Sequence, residues 1–213
     1  DPLWSRGLGD VYKRQIQVPV DWMVAFLAGT HGDLRRILSL ESHLRLGVPI
    51  TITTDASPFG IGAVLEMGGV ITSYFSDGLS TLDRAVLSVE PSPSSSDQQL
   101  LEAFAVLVAL RHWCDQWRGQ RVRLSVRTDN VAALTLLCKM QPHSAWLGLI
   151  AREVALDISA SCYTPDVAEH IPGVSNKAVD ALSRSGAPVP PSLPTYLKEE
   201  LRSQPVKRGY CWG

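Results

Sequence analysis

Two aspartates directly follow segments that favour β-strands. Asp55 comes after the β-branched run 50–54, and Asp129 comes after the alternating segment 122–128. A carboxylate at the end of an apolar strand is costly to bury unless it is paired or bound to a metal ion. Either aspartate could instead be a helix cap or turn residue, and Asp129 with Asn130 before a helix fits that interpretation.

Two further acids lie in segments with a helical pattern. Glu102 is the only acid between Leu100 and Leu110, and Asp180 lies in the closing helix of the pattern. A single helical Glu usually faces solvent, and Asp180 could pair with Arg184 at the i,i+4 spacing. Carboxylate oxygens are, however, hard ligands of the kind that Mg²⁺ prefers. Four acids that converge on one edge of a sheet would form a metal site.

The elements that must position these acids form an α/β pattern. Alternating or β-branched segments predict five strands, over residues 50–54, 61–66, 70–75, 122–128 and 162–171. Apolar residues at helical spacing predict helices over residues 97–117, 131–140, 145–159 and 176–183, with residues 76–96 irregular. Three meandering strands followed by helix-linked strands predict a five-stranded mixed sheet with helices on both faces.

Composition limits the classes of function. Hydrophobic residues make up 45% of the chain and charged residues 19%, so a substantial core is possible. The net charge of −1 argues against binding nucleic acid by overall charge alone. Four cysteines without a C-x-x-C pair argue against a zinc site or a disulfide framework, and favour the reducing cytoplasm or nucleus. No apolar run reaches the roughly 18 residues of a membrane span.

Four motifs containing the acids carry a resemblance to a known family. They are residues 54–65 (TDASPFGIGAVL), 99–113 (QLLEAFA and ALRHW), 127–130 (RTDN) and 170–184 (HIPGVSNKAVDALSR). Together, and in this order, they resemble the ribonuclease H (RNase H) domains of gypsy-type (LTR) retroelements and retroviruses. The last motif is the most specific. The resemblance implies an RNase H-like fold over residues 48–185.

The resemblance also implies an activity, a metal-dependent endonuclease that hydrolyses the RNA strand of RNA/DNA hybrids. In the family four carboxylates hold two divalent cations, and these roles transfer to Asp55, Glu102, Asp129 and Asp180. The ions are usually Mg²⁺, with Mn²⁺ as a substitute, and Asp55 would bridge both. Two ions about 3.5–4 Å apart can clamp a phosphate, activate water and steady the leaving 3′-oxygen. The 2′-hydroxyl would distinguish RNA from DNA.

Other residues are candidates for supporting roles. His170 stands ten residues before Asp180 and matches a mobile histidine that helps product leave in many RNase H enzymes. The following Pro172 and Gly173 could instead leave His170 on a strand, with its side chain pointing away from the site. Asn176 is either a cap of the closing helix or a substrate contact, since in the family it lies near the site.

A group of arginines around two tryptophans could track a phosphate backbone. The arginines are Arg111, Arg118, Arg121, Arg123 and Arg127. Alternatively, Trp113 and Trp117 pack in the core and the arginines are ordinary surface charges. Glu153 and Asp157 are predicted to lie on a solvated helix face.

The flanking segments frame the domain. Residues 10–15 (DVYKRQ) look like a translated sequencing adapter, so residues 1–15 are interpreted as a sequencing-adapter scar. The alternative is a genuine polar N-terminal segment. Residues 16–47 are predicted to form one or two short helices. They resemble the end of a reverse transcriptase connecting region, which implies a reverse transcriptase upstream in the same polyprotein. The proline-rich residues 186–213 resemble a linker with a small helical tail.

Two other classes of protein compete with a nuclease domain of this family. One is an inactive connection or tether domain, which keeps the RNase H fold as a spacer. The other is an integrase or transposase core, which usually relies on three acids at different spacing. The intact acids argue against the first class, and the motif over residues 173–184 argues against the second.

Overall fold

A computed structural model describes ten parts of the chain, residues 20, 23–24, 27–28, 47–89, 95–117, 122–140, 142, 144–159, 167–173 and 176–203. The predictions for residues 1–15, for nearly all of residues 16–47 and for Arg118 and Arg121 lie outside them. Within the described residues, no helix has both the length and the apolar character needed to cross a membrane.

A five-stranded mixed sheet forms the centre of the fold. Its strands are Val48–Ser57 (β1), Gly60–Met67 (β2), Val70–Asp77 (β3), Val122–Thr128 (β4) and Val167–His170 (β5). They lie in the order β3-β2-β1-β4-β5. The first three pair antiparallel, whereas β1 pairs parallel with β4 and β4 pairs parallel with β5. The mixed sheet predicted for an RNase H-like fold is therefore confirmed.

In the part of the chain that the structure describes, five α-helices accompany the sheet. They are Thr81–Leu87 (α1), Ser95–Trp113 (α2), Val131–Lys139 (α3), Ala145–Ser159 (α4) and Lys177–Ser183 (α5). Short 3₁₀ turns follow at Cys114–Gln116 and Glu199–Leu201.

Helix α1 lies in the segment that was predicted to be irregular. A reciprocal capping box starts it: the Asp83 N–H donates to Ser80 Oγ at 3.1 Å, and the Ser80 N–H donates to Asp83 Oδ2 at 2.8 Å. Leu87 anchors its other end in the core. The prediction failed because a seven-residue helix is too short to show a periodic pattern.

The two faces of the sheet carry different cores. On one face, Ile52 and Ala63 pack in the main core with Phe104 of α2. On the other, Val64 packs in a smaller cluster with Leu182 of α5. Because successive strand residues point to opposite faces, the neighbours Ala63 and Val64 belong to different cores. The predicted helices on both faces of the sheet are therefore confirmed.

Helix α2 is buried on every side. Leu107, Val108, Ala109 and Leu110 are all 0% exposed, although four consecutive residues point in different directions around a helix. Helices α3 and α4 cover the side of α2 that does not face the sheet. The sequence pattern predicted one apolar side, but a central helix is apolar all round.

Two of the predicted nucleic-acid contacts belong to the core instead. Trp113 and Trp117 are buried within the main core cluster. Arg111 forms ion pairs with Glu153 and Asp157, and Asp157 is buried. The prediction that Asp157 lies on a solvated face was therefore wrong, because the helix side that carries it faces α2.

The segment after α5 returns to the sheet. Leu197 is buried in the smaller cluster, and Arg202 forms a parallel bridge with Tyr74 of β3. The Ser203 N–H donates to the Tyr74 carbonyl at 2.7 Å. Part of the region beyond residue 185 is thus packed against the domain.

Candidate metal centre

The parallel pairing of β1 with β4 brings two aspartates to one edge of the sheet. Thr53 is in register with Arg127. Asp55 and Asp129 each lie two residues further along, so neighbouring strands carry both in the same direction. Asp55 was predicted to follow the end of this strand, but it lies inside β1. The strand continues to Ser57 through its pairing with β2.

Asp129 does not cap the helix that follows it. The neighbouring Asn130 does so, because its Oδ1 accepts hydrogen bonds from the N–H groups of Ala132 at 2.9 Å and Ala133 at 3.1 Å. The helix-cap interpretation of Asp129 was therefore wrong. Its carboxylate remains available for another role.

Helix α2 supplies the third carboxylate. Glu102 is 3% exposed. Gln98, one turn earlier, donates to Glu102 Oε1 at 3.1 Å and to the Ala56 carbonyl at 2.6 Å. Thr128 Oγ1 donates to Glu102 Oε2 at 3.5 Å. These contacts fix the Glu102 carboxylate between β1 and β4, where it does not face solvent as a single helical Glu usually would.

Asp55, Glu102 and Asp129 together form a group that could hold a metal ion. Each offers one carboxylate oxygen, and these oxygens lie within 4.8 Å of one another. The donors are all hard oxygen ligands, without sulfur or nitrogen, which fits Mg²⁺ or Mn²⁺.

The electrostatics of the group also favour a cation. Burial raises the pKa of the Asp55 carboxyl to about 7; a hydrogen bond from Ser183 opposes the rise, and repulsion from Asp129 and Asp180 adds to it. Burial likewise raises the pKa of Glu102 to about 9, with repulsion from Asp55 and Asp129 as further causes. A bound cation would offset the cost of keeping both groups ionised.

Asp180 stands apart from this group. It lies on α5, partly exposed, and its Oδ1 accepts a hydrogen bond from Arg184 Nε at 2.6 Å. This is the i,i+4 pair that the sequence left open. Asp180 is nevertheless close enough to raise the pKa of Asp55. Its role as a fourth ligand remains a prediction.

Asn176 touches the centre directly. It occupies the N-cap position of α5, as one of the two interpretations had it, but its side chain makes no capping hydrogen bond. Instead, Nδ2 donates to Asp55 Oδ1 and to the Thr54 carbonyl, both at 3.4 Å. The side chain bonds to β1 because α5 packs with this face against the sheet.

Sequence reasoning missed Ser183. It is fully buried, and its hydroxyl donates to Asp55 Oδ2 at 2.6 Å. A signal was available, because Asn176, Asp180 and Ser183 follow the i, i+4, i+7 spacing of one helix face. That spacing places all three on the side of α5 nearest the acids.

His170 is the last residue of β5. Its Nε2 lies 3.0 Å from the main-chain oxygen of Asp129, and the side chain is exposed. The histidine is therefore on a strand, as the alternative interpretation had it, but its ring contacts Asp129 and does not point away from the acidic group. Its role in product release remains a prediction.

The remaining arginine candidates occupy the sheet. Leu124 and Val126 of β4 face the main core, so the alternating Arg123 and Arg127 point to the opposite face. Arg127 Nε donates to Glu169 Oε2 of β5 at 2.7 Å. Since Arg111 is bound within the helical layer, the described arginines do not form one continuous surface patch.

No family model matches the chain. Solved structures with a similar backbone include RNase H1 from the archaeon Halobacterium salinarum NRC-1, at 17% identity and a TM-score of 0.48, over 65% of this chain and 96% of that one. LC11-RNase H1, isolated from compost, gives 16% identity and a TM-score of 0.48, over 66% and 94% of the two chains. The N-terminal RNase H domain of a Mycobacterium tuberculosis protein gives 16% identity and a TM-score of 0.45, over 63% and 95%. At this degree of similarity, the function of the chain has to follow from its own residues.

Proposed function

We propose that this chain is an RNase H domain, a metal-dependent endonuclease that hydrolyses the RNA strand of RNA/DNA hybrids. One observation carries the proposal: the carboxylates of Asp55, Glu102 and Asp129 meet within 4.8 Å at one edge of the sheet. They come from β1, from α2 and from the residue that follows β4, which are far apart in sequence. Three buried or half-buried acids at this distance are unfavourable without a cation.

In this proposal the three carboxylates hold Mg²⁺, with Mn²⁺ as a substitute. When bound, two such ions supply an activated water and charge stabilisation at the leaving 3′-oxygen. Asp55 would be shared by the two ions, and Asp180 would serve as the fourth ligand if it gave up its ion pair with Arg184. Asp55 and Glu102 would have to lose their protons to serve as ligands, because carboxylate ligands must be ionised.

Other residues take roles around the acids in the same proposal. Asn176, next to Asp55, contacts the substrate backbone, and His170 assists product release from its position beside Asp129. Arg121, Arg123 and Arg127 are proposed to bind phosphates. Because the chain is close to neutral overall, a neighbouring domain would supply much of the affinity for the hybrid.

The retroelement context is also part of the proposal. The motif order over residues 48–185, and above all HIPGVSNKAVDALSR at residues 170–184, supports an origin in a gypsy-type or retroviral-like polyprotein. Residues 16–47 would then connect to a reverse transcriptase, and the protein would act in the cytoplasm or nucleus. The compared RNase H structures do not bear on this context.

A cleavage assay tests the activity. Purified protein is incubated with an end-labelled RNA/DNA hybrid and Mg²⁺, beside Asp55→Asn and the control Asp115→Asn, which changes an exposed aspartate. We expect wild type and Asp115→Asn to release fragments with 5′-phosphates. Asp55→Asn should be at least about 100-fold slower, because it loses a metal ligand. Equal cleavage by all three proteins would reject the proposal.

A magnesium titration separates the nuclease from the tether alternative. A ligand that binds only the folded state raises its melting temperature. Wild type and Asp115→Asn should therefore be stabilised by Mg²⁺, and Asp55→Asn should not. A wild-type protein that neither responds to Mg²⁺ nor cleaves the hybrid would be a tether.

A further inference from the structure

The geometry points to Ser183 as a positioning residue for Asp55, a role that rests on the proposed metal centre. The Ser183 side chain is 0% exposed, and its hydroxyl lies 2.6 Å from Asp55 Oδ2. The same hydroxyl lies 3.0 Å from the Asp180 carbonyl. It has one proton to donate, and the shorter contact to a carboxylate is the stronger bond.

This bond is the main restraint on the Asp55 carboxylate. The other contact from α5, from Asn176 Nδ2 to Asp55 Oδ1, is long at 3.4 Å. A carboxylate oxygen has lone pairs enough to accept the serine proton and still bind a cation. By fixing the rotation of the carboxylate, Ser183 would prepare Asp55 for the metal, as residues behind metal ligands commonly do.

Gly62 allows Ser183 to come this close. It lies opposite Asp55 in the pairing of β1 with β2. A Cβ atom at Gly62 would lie 2.6 Å from Leu182 Cβ and 2.7 Å from the Ser183 nitrogen. Any larger residue would therefore lift α5 from the sheet, and the end of α5 would move away from Asp55.

Other serines already attach this end of α5 to the sheet. Ser57 Oγ donates to the Ser183 carbonyl, and Ser76 Oγ donates to the Leu182 carbonyl, both at 2.7 Å. The helix thus stays docked without the Ser183 hydroxyl. That hydroxyl is left to serve Asp55, and Ser76 offers a matched control for loss of a docking bond.

The test compares Mg²⁺ affinity, measured by isothermal titration calorimetry, in wild type, Ser183→Ala, Ser183→Thr and Ser76→Ala. We expect Ser183→Ala to bind Mg²⁺ about 10-fold more weakly, in the range found when a partner of a metal ligand is removed. Ser76→Ala should keep wild-type affinity, and Ser183→Thr, which retains the hydroxyl, should restore it. Urea unfolding without metal measures the loss of stability in each variant separately.

The outcomes distinguish the two proposals. If wild type binds Mg²⁺ and Ser183→Ala binds it as tightly as Ser76→Ala does, the role of Ser183 is overturned while the nuclease proposal stands. If wild type binds no Mg²⁺, the metal centre fails and the role of Ser183 fails with it. The two alanine variants decide the question even if Ser183→Thr does not fold.

Discussion

Asp55 and Glu102 are ionisable groups held almost out of contact with water. Their exposed fractions are 5% and 3%, and each has the other acids of the centre as neighbours. In the metal-free protein the folded state therefore favours the protonated forms, with pKa values of about 7 and about 9. The residues that would hold a cation in the proposed function thus make the metal-free domain sensitive to pH.

The substitution Glu102→Gln should reduce this sensitivity. The pKa of Glu102 in the folded protein, about 9, is above its ordinary value of 4.5. Its contribution to stability is therefore complete below pH 4.5 and is lost as the pH rises through 9. We expect the melting temperature of metal-free wild type to fall between pH 5 and pH 9, and that of Glu102→Gln to fall less.

Thermal unfolding in EDTA across this pH range checks the expectation. At pH 9 the variant should melt a few degrees above wild type, because it has no charge to bury. Glu200→Gln, which changes an exposed residue, serves as the control and should follow the wild-type curve. A Glu102→Gln curve parallel to that of wild type would show that Glu102 does not titrate in this range.

At the level of elements, an ion-pair network joins α2 to α4. Arg111 Nε donates to Asp157 Oδ2 at 2.6 Å, and Arg111 Nη2 donates to Asp157 Oδ1 at 2.7 Å and to Glu153 Oε2 at 2.8 Å. The Arg111 and Asp157 side chains are each only 12% exposed. The bidentate contact between Arg111 and Asp157 orients α4 against α2, the helix that carries Glu102.

Removing the arginine should be costly. We expect Arg111→Ala to lower the free energy of unfolding by about 3 kcal/mol, because Asp157 would remain buried without its main counter-ion. Urea denaturation measures the change. In a double-mutant cycle, Arg111→Ala/Asp157→Ala should cost clearly less than the sum of the single variants. Additive effects would mean that the two side chains do not stabilise each other.

At the scale of the whole molecule, residues beyond α5 pack against the sheet and complete the smaller core of the domain. The smaller core cluster contains Val64, Tyr74, Val179 and Leu182 from the sheet and α5, and Leu197 from the C-terminal segment. The Ser203 N–H and Arg202 then continue the hydrogen bonding beside Tyr74. The segment covers part of the face on which α5 positions Asn176 and Ser183.

Truncation tests whether this C-terminal segment stabilises the domain. A chain that ends at Ser185 should have a lower free energy of unfolding than one that ends at Ser203. The difference should be about 2–3 kcal/mol from the lost burial of Leu197 alone. Midpoints of urea unfolding, measured on both chains, give the difference. Leu197→Ala in the longer chain should reproduce much of it. Equal midpoints would show that the segment adds nothing to stability and that the domain ends near residue 185.

The local sequence pattern was enough to predict most of the strands and helices of this protein. The β-branched run before Asp55 and the alternation over residues 122–128 predicted β1 and β4, and apolar spacing predicted α2. The element order then limited the fold to a mixed sheet, because parallel strands need helical connections. The four acids were singled out as a set because their motifs together resemble those of RNase H domains, whereas each acid alone also fitted a cap, a solvent-facing residue or an ion-pair partner.

Tertiary structure alone decided how those acids are used. The distance between Asp55 and Asp129 depends on the register of β1 with β4, and the place of Glu102 depends on how α2 packs on the sheet. Asp180 pairs with Arg184, while Ser183, unremarkable in sequence, bonds to Asp55 because Gly62 lets α5 approach. Propensity acts over a few neighbouring residues, whereas Ser183 and Asp55 are 128 positions apart, and only packing brings such residues together.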